Sequence, residues 1–251
     1  MSDNQQPDLE QWKDLFSTVD VSPKAFFPDD IYYPDEMRGL DVEKFLSFCQ
    51  EVNEGNFLED YEYPEFPLLN EQEFKQFELA LNRKLPEGYR YYCQVFGTGG
   101  FGDLICIQCP DIRSIEKFLE NSQSSLLACL DSFQYEEIPT DELEQLVENS
   151  LVFGDRDHLV IFIFDLNSYN DEDRSCDIYG LRFDCDDCYV RKVGRDFFKF
   201  IRDEIIGEGL RRFPELVPTD DEDLASNWFE YKGTTFMPFP RLEPPESEEC
   251  S

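Results

Sequence analysis

Two cysteine pairs are the residues of this sequence whose spacing most directly suggests chemistry. Cys106 and Cys109 form one CxxC pair, and Cys185 and Cys188 form the other. Four such thiolates can hold a tetrahedral structural zinc, but the separation between the pairs is far longer than in a zinc ribbon. Cys106 also falls in a predicted buried strand, where cysteine often serves as a small apolar side chain. We therefore expect no metal and no cofactor, and keep a zinc-stabilised module as an alternative.

Other residue types that support catalysis are sparse or explained by their surroundings. His158 is the only histidine, and its place at the start of a predicted strand favours a structural or surface role. Acidic pairs such as Asp155 and Asp157, or the acids within residues 184–187, could bind calcium or act as acid and base. Among 56 acidic residues, however, such pairs arise by chance, and no EF-hand spacing is present. The sequence therefore predicts a protein that is not an enzyme.

The glycine-rich stretch FGTGGFGD, at residues 96–103, invites comparison with a phosphate-binding loop. It lacks the GK[ST] ending of such loops, and the nearby Asp103 and Asp111 would repel a phosphate. Glycines also allow a sharp corner between a helix and a strand, because they adopt backbone conformations that other residues avoid. We interpret the stretch as such a corner.

The segments around the glycine corner alternate between helical and strand patterns. Asn70 is a predicted N-cap with Glu73 at capping-box spacing, and Phe74, Phe77 and Leu81 share one helical face. Further helices are predicted at Pro86–Phe96, 113–121, 140–149 and 197–206. Strands are predicted at 104–109, 151–153, 159–166, 178–183 and 188–193, with a turn at 154–157. The run LVIFIF is apolar on both faces, as a central strand covered on both sides would be.

The net charge of −34, from 56 acidic and 22 basic residues, bears on partners rather than on fold. Such a field repels nucleic acid and anionic membranes, and it attracts basic proteins with fast, salt-sensitive association. Solubility, or general acidity of the host proteome, is an equally open interpretation. Nine cysteines without an export signal or a long apolar span indicate reduced thiols. We therefore expect a cytoplasmic protein.

Four stretches in a fixed order resemble one known family. They are ELALNRKLPEGYRYYCQVFGTGG, LVFGDRDHLVIFIFDL, IYGLRF and YVRKVGRDFFKFIRDE, within about residues 68–205. Their order resembles the SUKH superfamily, in particular its Smi1/Knr4 branch. The resemblance implies an α+β fold in which a mainly antiparallel sheet is flanked by helices. It also implies protein binding without a shared catalytic apparatus: many bacterial members are immunity proteins that neutralise nuclease or deaminase toxins, yeast members are regulators of cell-wall signalling, and a further branch is viral.

The resemblance and the composition together predict three regions. Residues 1–67 form an acidic N-terminal extension with short helices, 68–213 the Smi1/Knr4-like domain, and 214–251 an acidic, proline-rich tail. Aromatic and acidic residues mark two candidate partner-binding clusters, because aromatics can anchor an interface and carboxylates can steer a basic partner. The residues are Asp60, Tyr61, Glu62 and Tyr63 in one cluster and Asp171, Glu172 and Asp173 in the other. The first cluster also fits a simple surface connector.

The leading functional hypothesis is therefore a non-enzymatic immunity protein that covers the active site of a basic toxin. A nuclease toxin needs a cationic cleft for phosphates, so an acidic surface matches its charge. The main alternative is an intracellular regulatory or scaffold protein of the Smi1/Knr4 type, and the third is the zinc-stabilised module.

Overall fold

A computed structural model describes residues 7–21, 68–102, 104–120, 126, 140–156, 160–183, 188–208, 210–216 and 235–238. The helices are α1 (Leu9–Phe16), α2 (Glu71–Leu81), α3 (Glu87–Val95), α4 (Thr140–Glu148) and α5, which begins at Phe197–Lys199. The strands are β1 (Asp20–Val21), β2 (Gly99–Phe101), β3 (Ile105–Ile107), β4 (Ser150–Arg156), β5 (Val160–Asn170), β6 (Ser175–Phe183), β7 (Cys188–Gly194) and β8 (Thr235–Pro238).

The strands form one sheet in the order β1-β8-β2-β3-β4-β5-β6-β7. Every neighbouring pair is antiparallel except β1 and β8, which run parallel. Strands β2 through β7 are neighbours in the order in which they follow one another along the chain, and the longest connection among them, between β3 and β4, carries α4. The expected α+β fold with a mainly antiparallel sheet is confirmed.

The first half of strand β5, residues 160–164, is buried on both faces, as its apolar run predicts. Val160, Phe162 and Phe164 point into the main core, where they meet α3 and α5 aromatics. Ile161 and Ile163 point to the other face and pack in a second cluster with residues of α4. Because successive strand residues face opposite sides, a strand between two helical layers must be apolar at every position.

Strand β4 differs from the sequence prediction at its second half. The predicted turn at residues 154–157 is wrong, because β4 continues through Gly154 to Arg156 and pairs with β5 along that length. The register shifts between Val152 and Gly154, which places a bulge where the sequence suggested a turn. A glycine inside an apolar run is compatible with both structures. The predicted strand 104–109 is likewise shorter, because β3 spans only Ile105–Ile107.

Helices α2 and α3 form as the sequence predicts. The Asn70 side chain accepts from the backbone N–H groups of Gln72 and Glu73, and the Glu73 carboxylate accepts from the Asn70 N–H, which completes a capping box. After α3, the backbone turns into β2 through Gly97, whose φ of 70° lies in the left-handed region. The glycine-rich stretch is therefore a helix-to-strand corner.

The main core also includes residues from both ends of the chain. Trp12 of α1 is fully buried and makes edge contacts with Tyr92 at 5.9 Å and Phe198 at 4.8 Å between ring centroids. Phe236 of β8 lies 5.1 Å from Phe96. Segments on each side of residues 68–213 therefore complete its core, while the three-region division itself stays a prediction.

Helix α5 covers the main core and changes its winding. It is α-helical over Phe197–Lys199 and then π-helical over Phe200–Glu208. Phe197, Phe200 and Ile201 face the sheet. The π segment buries Glu204, whose carboxylate forms an ion pair with Arg212.

Candidate protein-binding surface

The turn between β5 and β6, residues 171–174, is held against the linker between α2 and α3. The Lys84 ammonium lies 2.6 Å from the Asp171 carboxylate. The Glu87 backbone N–H donates to the Arg174 carbonyl at 3.0 Å, and the Arg174 guanidinium pairs with the Glu87 carboxylate. Each exposed ion pair contributes little alone, but together with the backbone bond they fix the position of the turn.

A second group of contacts stabilises the parts of β5 and β6 that adjoin the turn. The Asp177 carboxylate accepts from Lys192 at 2.6 Å and from Arg195 at 2.7 Å, and Arg195 also donates to the Ser168 carbonyl. The Asp177 backbone N–H donates to the Ser168 hydroxyl. Strand β5 loses its regular pairing with β6 between Asp165 and Asn170. The network replaces the missing ladder bonds at this bend.

The predicted acidic cluster in this turn divides by role. Asp171 is paired with Lys84, and Asp173 accepts from the Ser175 N–H and hydroxyl and lies 3.5 Å from Arg195. Glu172 is exposed at the tip of the turn, and no described cation pairs with its carboxylate. Two of the three acids therefore hold the turn in place, and Glu172 remains available to a partner.

A shallow groove of about 510 Å³ runs between the C-terminal end of α2 and this turn. Three cationic side chains line it, although the chain as a whole carries a net charge of −34. The groove is lined by Lys75, Glu78, Leu79, Asn82, Arg83, Lys84, Tyr169 and Asp171. Lys84 lies 5.8 Å above the Tyr169 ring, and burial raises the pKa of that phenol, which therefore stays neutral. The groove therefore presents the apolar surfaces of Leu79 and Tyr169 together with charged groups of both signs.

Leu79 and Arg83 are two exposed residues in the lining of the groove. Among the described residues, Leu79 is the large apolar side chain that stands exposed, with 83% of its surface accessible. Arg83 donates to the Asn82 carbonyl at 3.3 Å, and no described carboxylate pairs with its guanidinium. Neither residue is among the binding residues that the sequence predicts. The available signal was that Leu79 lies opposite the buried Phe74 and Phe77 on α2, so it cannot contribute to the same face.

Three described cysteines, Cys93, Cys106 and Cys109, lie close together near the end of β3. Burial raises the pKa of the Cys93 thiol well above its ordinary value, and raises that of Cys106 to about 12. Cys93 shares a hydrogen bond with the buried Cys109. A thiol that stays protonated at neutral pH is a poor nucleophile and a poor metal ligand.

The sheet order argues against the zinc-stabilised alternative. Three strands separate β3, which carries Cys106, from β7, which begins at Cys188. At the usual spacing of neighbouring strands the two backbones lie about 19 Å apart, too far for both thiols to bind one ion. In the described part of the chain, no three metal-binding side chains lie close enough to hold a metal. Cys185 lies outside the described residues.

Several predicted residues cannot be placed. Asp60, Tyr61, Glu62 and Tyr63, the first candidate cluster, lie outside the described residues, as does His158. Their proposed roles stay predictions. Among the described helices, none is long and apolar enough to cross a membrane.

The fold and this surface define an α+β protein with an exposed, mixed-charge groove. A family model described as the SMI1 / KNR4 family (SUKH-1) matches residues 68–203, more than half of the chain. The chain therefore belongs to this family, as its sequence resemblance predicts. Searches of curated proteins and of solved structures found no match. Membership is consistent with a protein-binding module, and the family is generally non-catalytic.

Proposed function

We propose that this chain is a non-enzymatic immunity protein, which binds a basic toxin of the nuclease or deaminase type and covers its active site. Family membership supports a protein-binding role. The net charge of −34 supports a basic partner, because oppositely charged surfaces accelerate encounter.

The observation that carries the proposal is the unpaired Glu172 carboxylate on a firmly held turn. Asp171 and Asp173 are engaged with Lys84 and Arg195, so the tip keeps its position without a partner. A pre-positioned carboxylate meets a cationic group at little entropic cost, since the turn need not be ordered on binding. A mobile acidic tail would attract the same partner but would fix no orientation.

The direct test begins with the partner. Tagged full-length protein is incubated at low salt with lysate of its source organism, and bound proteins are identified by mass spectrometry. We expect a cationic protein that arrests growth when expressed alone and is tolerated when this chain is co-expressed. A captured protein that is acidic, or whose toxicity the chain does not relieve, would contradict the proposal.

The role of the turn is tested on the same complex by surface plasmon resonance. We expect Glu172→Lys to slow association roughly two- to fivefold at low salt, and less at high salt, because a rim charge acts mainly on the encounter rate. Glu116→Lys is the matched control, since Glu116 is exposed, lies away from the groove and gives the same change in net charge. Equal association rates for the two variants would remove the turn from the interface.

A further inference from the structure

Three exposed side chains lie around one groove. Leu79 exposes an apolar surface, Arg83 lacks a described carboxylate, and Glu172 lacks a described cation. Leu79 and Arg83 are four residues apart at the end of α2, and both line the groove together with Asp171. An apolar residue surrounded by charged groups is the usual anatomy of a protein interface, with an anchor at the centre and polar groups at the rim.

Arg83 is the unexpected member of this set. The other two groove cations have acidic neighbours, with Lys75 lying 3.5 Å from Glu71 and Lys84 lying 2.6 Å from Asp171. Covering Arg83 with a uniformly basic surface would place like charges together without solvent, which is costly. A partner that covers this groove must therefore supply a carboxylate.

The net charge of the chain and the local charges of the groove together restrict which proteins can bind there. At long range the net charge of −34 repels acidic proteins and a second copy of this chain. Within about 10 Å, where screening by salt is weak, the groove presents Arg83 as the cation without a described carboxylate, since Lys75 and Lys84 have acidic neighbours. A basic protein that carries one carboxylate beside an apolar pocket satisfies both conditions.

We propose that Leu79 and Arg83 determine which basic partner this protein accepts. Leu79 enters an apolar pocket of the partner, and Arg83 pairs with a carboxylate at the edge of that pocket. This inference rests on the proposed function: general acidity attracts many cationic proteins, and the groove selects among them by penalising those without the carboxylate.

The test measures association and dissociation of the captured cationic partner with four full-length variants. We expect Leu79→Ala and Arg83→Glu each to speed dissociation about tenfold or more, as for residues at the centre of an interface. Gln145→Ala and Lys117→Glu are the controls, because both residues are exposed and lie outside the groove lining. They should dissociate at the wild-type rate. Circular dichroism verifies that each variant is folded.

The sign of the Arg83 effect separates this proposal from simple charge steering. Arg83→Glu makes the protein more acidic, so steering alone predicts binding to a basic partner that is as tight or tighter. We expect weaker binding, restored when the paired carboxylate of the partner is changed to lysine.

Wild-type affinity of both groove variants would overturn the inference and leave the proposed function standing. Dimerisation of this chain that Leu79→Ala abolishes would overturn it as well. A captured protein that is acidic, or whose toxicity is not relieved, would instead contradict the proposed function, and the inference with it.

Discussion

At the scale of single residues, two aspartates show how position decides whether a negative charge stabilises this fold. Asp165 on β5 lies directly opposite Asp177 on β6, and burial raises the pKa of its carboxyl group, with the charge of Asp177 adding to the shift. Asp203 on α5 instead accepts two hydrogen bonds from Arg202, which lowers the pKa of its carboxyl group. The folded state therefore disfavours ionisation of Asp165 and favours ionisation of Asp203.

These opposite shifts predict opposite effects of removing each charge. A raised folded-state pKa means that stability is lost as pH rises through the carboxyl range, so Asp165→Asn should raise Tm at pH 7. The asparagine keeps an oxygen that can accept from the Asn167 N–H, as the carboxylate does at 3.0 Å. A lowered folded-state pKa means that stability is present above the unfolded pKa and lost as pH falls, so Asp203→Asn should lower Tm at pH 7.

Thermal unfolding of both variants and the wild type between about pH 3 and pH 7 checks the prediction. Both differences from wild type should shrink toward the acidic end, where the carboxyl groups are protonated in the folded and unfolded states alike. A lower Tm for Asp165→Asn at pH 7 would show that the attraction of Lys192, rather than burial, governs this carboxylate.

At the scale of elements, β6 depends on a glycine that leaves room for a segment beyond β7. A Cβ atom on Gly180 would lie 2.5 Å from a methyl carbon of Leu216 and 3.2 Å from the Phe162 ring. Leu216 is fully buried and belongs to the short 3-10 helix Pro214–Leu216. The Arg182 guanidinium holds the same segment by donating to the Glu215 carbonyl at 3.2 Å.

This contact predicts a non-additive pair of substitutions. Gly180→Ala should destabilise by about 1–3 kcal/mol because it overpacks the site, and Leu216→Ala by about 2–5 kcal/mol because it leaves a cavity. In the double variant the new methyl group partly fills that cavity, so the total should fall short of the sum by about 0.5–3 kcal/mol. Urea unfolding measures all three. Strictly additive values would show that Leu216 moves aside when Gly180 is replaced.

The elements that the sequence predicts are those that a local pattern determines. The apolar run of β5, the capping box of α2 and the β6–β7 hairpin each depend on neighbouring residues, and all three are present. The sequence predicts a turn where β4 has a bulge, because a single glycine is compatible with both. Strands β1 and β8 could not be predicted, since they span only two and four residues and pair across most of the chain.

In the candidate surface, too, the sequence predicts only the features that depend on neighbouring residues. The acidic turn at 171–174 is visible in the sequence, and so is the outward position of Leu79 on its helix. Their meeting at one groove depends on the contact of Lys84 with Asp171, which are far apart in the chain. No local sequence pattern predicts that contact. For the same reason the sequence does not show that Asp171 and Asp173 have cationic partners whereas Glu172 has no described one.

At the scale of the whole molecule, unmatched negative charge is the dominant electrostatic feature. Acidic residues outnumber basic ones by 34, so most carboxylates have no cation available. The described ion pairs are largely exposed, as in Lys84–Asp171 and Arg202–Asp203, and such pairs contribute little to stability because solvent screens them. Repulsion among the remaining carboxylates disfavours the compact state, because folding brings them closer together.

Salt should therefore act with opposite sign on folding and on binding. Raising NaCl from about 0.02 M to about 0.2 M shortens the Debye length from roughly 20 Å to below 10 Å, which weakens carboxylate repulsion more than it weakens the few exposed ion pairs. We expect Tm to rise over this range, while association with a cationic partner slows. Differential scanning calorimetry measures the first effect, and surface plasmon resonance measures the second.

The control for the folding effect changes charge and leaves the core intact. Glu116→Lys combined with Glu172→Lys replaces two exposed acids and should reduce the rise of Tm with salt, because fewer repulsive pairs remain to be screened. If Tm falls with salt in the wild type, ion pairs such as those that hold the 171–174 turn must outweigh the repulsion. The turn would then loosen as salt rises, and Glu172 would lose the fixed position on which oriented binding depends.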